Sequence, residues 1–173
     1  MKTTVALEID GALARLILRP DPENKPNTLD LDVIEAIDGI LDSVAADPEL
    51  RLLLVESASP KYFVVGANLK ALQEIDAESI RPWILRGHEV FDRFQKLDIP
   101  VIAVVRGYAY GGGLELALAC DMIYASDNAR FALPEAGLGF VPGWGGTQRL
   151  PRRIGASRAK RIIFTGRPFS AAE

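Results

Sequence analysis

Two glutamates in glycine-rich surroundings are the residues best suited to acid–base chemistry. Glu115 is the only charged residue between Arg106 and Asp121, and its neighbours are glycine, alanine and leucine. Removal from water raises the pKa of a carboxyl group towards the range that is useful for general acid–base catalysis. Glu135 follows Pro134, and proline is common at the first position of a helix. We expect the two carboxylates to serve one site, although each alone also fits an acidic residue favoured by a helix dipole.

Three consecutive glycines, residues 111–113, precede Glu115 and suggest a second kind of chemistry. A strand, a glycine turn and a helix together present backbone N–H groups to an anion, either a phosphate or a developing oxyanion. No Lys-Ser or Lys-Thr follows, which excludes an NTPase phosphate loop, and Leu116 stands where a dinucleotide-binding motif needs glycine. An oxyanion site and close backbone packing both remain open. A second small-residue turn ends at Ala67, and Asn68 is suited to cap the helix that follows.

Hydrophobic periodicity predicts an α/β fold that positions these groups. Alternating patterns on both sides of Asp10-Gly11 predict a hairpin with a two-residue loop that places Ile9 opposite Ala12. Short apolar runs predict buried strands, and apolar stripes with a period near 3.6 predict helices. The predicted later strands are 52–55, 101–105, 122–125 and 130–132, and the predicted helices are 29–46, one from about 69, 77–95 with Asp76 as its cap, and 114–120.

Two features near the end of the sequence need separate interpretation. Residues 149–161 contain six cations and no acid, and we interpret them as a solvated helix face or a subunit contact rather than a surface for RNA or acidic lipid. Ser170 and Glu173 have the spacing of a capping box, which begins a helix. Because the sequence stops there, we expect a longer polypeptide, with a polar tail as the alternative.

Composition narrows the class of protein. The 173 residues, 49% hydrophobic and 25% charged, predict one globular domain. A net charge of −3 excludes a protein that is basic overall and binds nucleic acid by charge alone. The single cysteine, Cys120, fits a reducing compartment, and the single histidine, His88, excludes a multi-histidine metal site. No apolar stretch approaches the roughly 20 residues of a membrane helix, so we expect a soluble cytoplasmic protein without membrane or nucleic-acid partners.

Four segments of the sequence resemble the crotonase superfamily, which comprises enoyl-CoA hydratases and isomerases. They are KYFVVGANLKAL (61–72), RGYAYGGGLELALACDM (106–122), FALPEAGLGFVPGWGGTQRLPR (131–152) and FTGRPFSAAE (164–173). The resemblance implies a crotonase-like spiral of ββα units, with residues 1–173 forming one acyl-CoA-binding core domain. Members usually continue with C-terminal helices that help to form trimers or dimers of trimers. The resemblance therefore implies a homo-oligomer, and a chain that holds the N-terminal two-thirds and lacks the C-terminal helical region.

The resemblance also assigns catalytic roles by position. The backbone N–H groups of Ala67 and Gly112 match an oxyanion hole, which would hold the thioester oxygen as it becomes an enolate-like anion. Glu115 and Glu135 match the two glutamates that bind the reacting water of hydratases. Gly143 matches a glycine whose N–H helps to orient the site. Neither a metal nor a cofactor is implied, because CoA is part of the substrate.

The same comparison implies a binding surface for the CoA portion of an acyl-CoA thioester. Lys61 and Lys70 match lysines near the nucleotide end, where phosphates would favour them, although each also fits a solvated surface charge. Asn68 stands where the superfamily usually has aspartate, which caps a helix equally well but adds a charge to the pocket. The residues implied to contact the substrate are Lys61, Ala67, Asn68, Leu69, Lys70 and Gly112.

Retention of both glutamates favours one reaction within the superfamily. It is the syn addition of water to a trans-2-enoyl-CoA thioester, performed by an enoyl-CoA hydratase, a carbon–oxygen lyase of fatty acid metabolism. An enoyl-CoA isomerase or another crotonase-type lyase is the alternative, and its product would show a shifted double bond rather than a hydroxyl group. A truncated, non-catalytic scaffold domain is the alternative from another class.

Overall fold

The computed structural model describes residues 2–173 as two adjoining β-sheets with helices packed around them. A 3₁₀ helix, Pro134–Leu138, lies between β8 and α5. In chain order the other elements are β1 (Lys2–Asp10), β2 (Leu13–Asp21), α1 (Leu31–Ala46), β3 (Leu52–Ser57), β4 (Tyr62–Val64), α2 (Leu69–Gln73), α3 (Ile80–Phe94), β5 (Val101–Val105), β6 (Tyr108–Tyr110), α4 (Gly112–Ala119), β7 (Met122–Ala125), β8 (Arg130–Ala132), α5 (Gly146–Ile154), α6 (Ala156–Thr165) and β9 (Phe169–Ser170).

The strand order reveals a repeated ββα path. The larger sheet has the order β1-β2-β3-β5-β7, and the smaller sheet has the order β4-β6-β8-β9. Among the strand pairs of residues 2–173, β1–β2 and β8–β9 are antiparallel and the other five are parallel. Three times the chain adds a strand to the larger sheet, then a strand to the smaller sheet, and then returns through helical structure. This path confirms the predicted α/β class and the spiral of ββα units.

The predicted register of the first hairpin is wrong by two residues. Ile9 pairs with Ala14 rather than with Ala12, and the two-residue loop is Gly11-Ala12 instead of Asp10-Gly11. The reason is the turn geometry, because Gly11 has a φ of +56° at the first loop position, as a type II′ turn requires. A shift by two residues leaves the same side chains on the same face of the sheet.

The strands 101–105, 122–125 and 130–132 lie where the sequence predicts them. The helix predicted from residue 29 begins at Leu31, because Leu29 is held in extended pairing with the loop before α2 and Asp30 caps the helix. The helix predicted from Asp76 begins at Ile80, after a turn in which the Asp76 carboxylate accepts hydrogen bonds from the next backbone amides. The predicted loop 56–68 contains the short strand β4.

Burial is concentrated around α4, which lies between the smaller sheet and α5. All eight residues of α4 are buried. Its approach to β4 depends on Gly113, since a Cβ atom there would lie 2.0 Å from the backbone oxygen of Val64. This contact brings the N-terminus of α4 beside the loop that follows β4. No helix within residues 2–173 combines the length and apolar character needed to cross a membrane.

Candidate active site

The structure brings the five predicted catalytic residues to one cavity. Its volume is about 140 Å³, and most of its wall is apolar. The cavity lies where the N-termini of α4 and the 3₁₀ helix meet the loop before α2. The predicted catalytic residues that line it are Glu115, Glu135, Ala67, Gly112 and Gly143.

Glu115 is a carboxylate held inside the protein by backbone amides. It lies in the first turn of α4 and is 2% exposed. Its Oε1 atom accepts hydrogen bonds of 2.8 Å from the N–H of Trp144 and 2.8 Å from the N–H of Gly146. These two bonds fix the orientation of the carboxyl group, and their donors lie in the loop before α5 and at the first residue of α5. The side chain is therefore fixed in a geometry that does not depend on solvent.

The surroundings of Glu115 shift its pKa towards neutral pH. Burial raises its pKa from the ordinary value of 4.5 to about 7, although the hydrogen bond from Gly146 opposes the change. The negative charge of Glu135 raises the pKa of Glu115 further. A carboxyl group of this kind can hold or release a proton at little energetic cost near pH 7.

Glu135 presents a second carboxylate to the same cavity. It is half-buried in the first turn of the 3₁₀ helix, and Pro134 begins that helix as predicted. Burial raises the pKa of Glu135 above its ordinary range. Within the part of the chain that the structure describes, no group hydrogen-bonds to its buried Oε2 atom. Buried polar atoms normally have partners, so this oxygen is suited to bind a ligand or water.

Ala67 and Gly112 both line the cavity, and each contributes a backbone amide to its wall. Gly112 is the first residue of α4, so its N–H has no partner inside the helix. The backbone of Leu29 donates a hydrogen bond to Gly66 and accepts one from Asn68, the two neighbours of Ala67 in the chain. The N–H of Ala67 itself has no acceptor within residues 2–173. A Cβ atom on Gly66 would lie 3.8 Å from the nitrogen of Gly112. The two N–H groups are thus available to an anionic oxygen.

The loop that orients Glu115 differs in detail from the prediction. Gly143 lines the cavity, but across residues 2–173 its N–H donates to neither glutamate. The amides of Trp144 and Gly146 hold Glu115 instead, and sequence reasoning missed both. The sequence feature that could have revealed this role is Gly-Trp-Gly-Gly at 143–146. Its glycines allow nearby backbone amides to approach one carboxylate.

Arg149 stabilises the loop that contains Trp144. The residue is 6% exposed, and its guanidinium donates a 2.7 Å hydrogen bond to the carbonyl oxygen of Trp144 and forms an ion pair with Asp92 of α3. The prediction of a solvated basic face is therefore wrong for Arg149. Periodicity did not reveal this role, because Asp92 is 57 residues away in the sequence and Trp144 lies in the loop before α5.

The residues implied to contact CoA lie at or beyond the mouth of the cavity. Leu69 lines the cavity and is largely exposed. Asn68 caps α2 as predicted, and its Oδ1 atom accepts a 3.1 Å hydrogen bond from the N–H of Lys70. The side chains of Lys61 and Lys70 are exposed, and neither lines the cavity.

Aromatic side chains close the inner end of the cavity. Trp144 is buried, and its ring centroid lies 4.4 Å from that of Trp83 and 5.6 Å from that of Phe91. Trp83 is half-buried and lines the cavity beside Ile84. Trp83 was not identifiable from the sequence, because its helical stripe is typical of ordinary core packing.

Comparison with known proteins shows the family of the chain. A family model described as enoyl-CoA hydratase/isomerase matches residues 10–173. The chain belongs to this family. The resemblance inferred from the four sequence segments is therefore confirmed.

Individual relatives match over nearly the whole chain. A short-chain-enoyl-CoA hydratase of Clostridium acetobutylicum is 40% identical, and a crotonyl-CoA hydratase of Syntrophomonas wolfei is 39% identical, each over 172 residues. Each match covers 98% of this chain, and the chain spans 64% of the length of either relative. The crystal structure of an enoyl-CoA hydratase from Bacillus anthracis matches with a TM-score of 0.91 and 35% identity, covering 97% of this chain and 65% of that one.

Proposed function

We propose that the protein is an enoyl-CoA hydratase that adds water to trans-2-enoyl-CoA thioesters. The observation that carries the proposal is the pairing of Glu115 and Glu135 in one cavity, each with a raised pKa, beside two available backbone amides. The names of the two hydratases that are 40% and 39% identical to the chain support the same activity.

Substrate binding begins with the thioester carbonyl. Its oxygen accepts hydrogen bonds from the N–H groups of Ala67 and Gly112, so that negative charge developing on this oxygen is stabilised. This polarisation draws electrons from the double bond and makes C3 electrophilic. The apolar wall of the cavity surrounds the acyl chain and excludes bulk water, which strengthens these electrostatic interactions.

The glutamate pair then supplies the acid and the base. The water molecule lies between Glu115 and Glu135, and a carboxylate of the pair takes one of its protons as the oxygen bonds to C3. The enolate-like electrons at C2 take a proton from the carboxylic acid of the pair. One proton enters the pair and one leaves it, so the pair ends with the proton count at which it began. Both new bonds form on the face that the glutamates occupy, which gives syn addition.

The raised pKa values allow the pair to supply both an acid and a base near neutral pH. With the pKa of Glu115 at about 7 and that of Glu135 also raised, a large fraction of the pairs holds a proton near pH 7, where two ordinary carboxyl groups would have lost both. A singly protonated pair contains the base and the acid that hydration requires. We expect the rate to fall at low pH, where both groups are protonated, and at high pH, where both are ionised.

The CoA portion of the substrate lies outside the cavity, along the start of α2. The exposed side chains of Lys61 and Lys70 are available to its phosphates, and Leu69 at the cavity mouth is available for apolar contact. We also propose a homo-oligomer, a trimer or a dimer of trimers. Met122 and Tyr124 expose apolar surface on β7, an edge strand of the larger sheet, and such surface favours a subunit contact. Light scattering measures the subunit number.

The test is product analysis with trans-2-butenoyl-CoA in ¹⁸O-labelled water. The proposal predicts loss of the conjugated enoyl absorbance and a hydroxyacyl-CoA product whose hydroxyl group carries the label. Isomerisation would instead give a product of unchanged mass with a shifted double bond, which longer enoyl chains would reveal. Absence of both reactions, with the thioester still bound, would favour a non-catalytic scaffold.

A further inference from the structure

Trp83 lines two separate spaces in the protein. One side of its indole faces the cavity that contains the glutamates. The other side faces an open groove of about 380 Å³ between the start of α1 and the turn before α3. Among the residues within 2–173 that line the two spaces, Trp83 is the one they share. The side chain is therefore a partition between them.

The partition rests on a rigid support. The centroid of the Trp83 ring lies 4.4 Å from that of Trp144, and the ring of Phe91 contacts Trp144 edge-on. Gly87, one helical turn after Trp83, leaves space for the Trp144 ring, because a Cβ atom there would lie 2.1 Å from Nε1. The Trp83 ring can thus pack closely against a buried partner that has no room to move.

The position of the partition defines the direction in which an acyl chain extends. Leu69, Leu138, Phe140 and Val141 line the cavity and are largely exposed, so they form its mouth. Trp83 is half-buried and stacks on the buried Trp144, so we take it to form the inner wall of the cavity. A thioester bound at the amides, with its double bond between the glutamates, would direct the end of its acyl chain towards this inner wall.

The groove beyond the partition is suited to hydrocarbon. Leu31, Ala71 and Ile75 form its apolar part, and the carboxylates of Asp30, Asp32 and Glu74 line its solvent side. Burial of methylene groups against the apolar part would be favourable, whereas the carboxylates would remain in water. The groove resembles a continuation of the cavity that the indole of Trp83 blocks.

We propose that Trp83 closes the acyl end of the cavity and restricts the enzyme to short enoyl chains. Removal of the indole joins the cavity to the groove, and the variant accepts chains that are several methylene groups longer. This inference rests on the proposed hydratase function, because it names the substrate class of the same site. Trp83 determines the length of acyl chain that fits the cavity, whereas the reacting atoms of the substrate lie beside the glutamates.

The experiment compares kcat/KM for trans-2-butenoyl-CoA and trans-2-decenoyl-CoA in the full-length protein and in Trp83→Ala. Each methylene group that gains a buried position contributes about fourfold to binding. We expect the decenoyl-to-butenoyl ratio to rise by at least about tenfold in the variant. Trp83→Phe keeps an aromatic contact with Trp144 but is smaller, so its ratio should lie between the two. This second variant preserves the test if Trp83→Ala folds poorly.

A double variant separates the groove from a general loosening of the site. Ala71 lines only the groove, so Ala71→Phe in the Trp83→Ala background refills the space that the long chain would use. We expect the decenoyl-to-butenoyl ratio to return towards that of the wild type. Ile84→Ala enlarges the cavity without opening the partition, since Ile84 lines only the cavity, and should change the ratio less than Trp83→Ala.

The outcomes distinguish this inference from the proposed function. Hydration of butenoyl-CoA by the wild type, with the same chain-length ratio in Trp83→Ala, would overturn the role of Trp83 and leave the hydratase function intact. Failure of the wild type to hydrate any enoyl-CoA would overturn the function. Binding of saturated butanoyl-CoA and decanoyl-CoA then tests the partition, and an unchanged preference in Trp83→Ala would overturn it as well.

Discussion

The guanidinium of Arg149 donates a 2.7 Å hydrogen bond to the carbonyl oxygen of Trp144. The N–H of Trp144 in turn donates to Glu115, so one residue connects a buried cation to the buried carboxylate. The ion pair between Arg149 and Asp92 attaches this arrangement to α3, which also carries Trp83. The Glu115 carboxylate and the helix that carries Trp83 are therefore connected through Arg149.

Arg149→Lys should lower kcat more than it changes KM. A lysine presents one ammonium group where the guanidinium bonds to Trp144 and Asp92 together, so the loop that holds Glu115 loses its support. We expect kcat to fall by about tenfold, which corresponds to about 1.4 kcal/mol. Steady-state kinetics with butenoyl-CoA measures the effect. Asp92→Asn is the matched control, because it removes the ion pair and leaves the bond from Arg149 to Trp144.

The two variants should therefore differ. Asp92→Asn should keep most of the wild-type kcat, since the bond to Trp144 remains. Equal losses of kcat in Arg149→Lys and Asp92→Asn would contradict a role for Arg149 that acts through Trp144.

The ionisation of Glu115 should make the folded state less stable as the pH rises. Its pKa is raised from 4.5 to about 7 by burial, so the folded protein binds the proton more tightly than the unfolded chain does. Stability is then lost as the pH rises through this interval. Relative to Glu115→Gln, which cannot ionise, the wild type should lose about 2 to 3 kcal/mol of unfolding free energy between pH 5 and pH 8.

Urea unfolding of both proteins at the two pH values measures this difference. Burial raises the pKa of Glu135 in both proteins, and the same comparison made in the Glu135→Gln background removes its electrostatic coupling to Glu115. A constant difference between the wild type and Glu115→Gln across this range would show that Glu115 ionises normally in the folded protein.

A methyl group at Gly113 should destabilise the protein strongly. Its Cβ atom would lie 2.0 Å from the backbone oxygen of Val64, so α4 would have to move away from β4. We expect Gly113→Ala to cost about 3 kcal/mol of unfolding free energy. Gly39→Ala in α1 is the matched control, because no atom lies within 4 Å of its added Cβ, and it should stabilise the protein by about 0.5 to 1 kcal/mol. Thermal unfolding that ranks the two variants in the opposite order would contradict this packing.

The sequence predicted the chemical groups better than their surroundings. Glu115 and Glu135 were identifiable because a charge among glycines and leucines is conspicuous, and both line the same cavity. The strands 101–105 and 122–125 were identifiable because they are short, bounded apolar runs. These features depend on residue type and local spacing.

Features that depend on contacts between distant segments were missed. Trp83 and Trp144 are separated by 61 residues and meet only in the folded protein. Arg149 resembled its exposed basic neighbours in sequence, and its contacts with Trp144 and with Asp92 of α3 form only in the folded protein. The hairpin register was wrong because Gly11 occupies a loop position that alternation alone does not specify.

The most direct test of the proposed mechanism is the rate of hydration of trans-2-butenoyl-CoA by Glu115→Gln and Glu135→Gln, measured beside the wild type. Glutamine keeps the size of each side chain and removes its proton transfer. We predict that each substitution lowers kcat by about 10² to 10⁴, while both variants remain folded and bind the thioester. Hydration at the wild-type rate by either folded variant would contradict a mechanism in which both glutamates act.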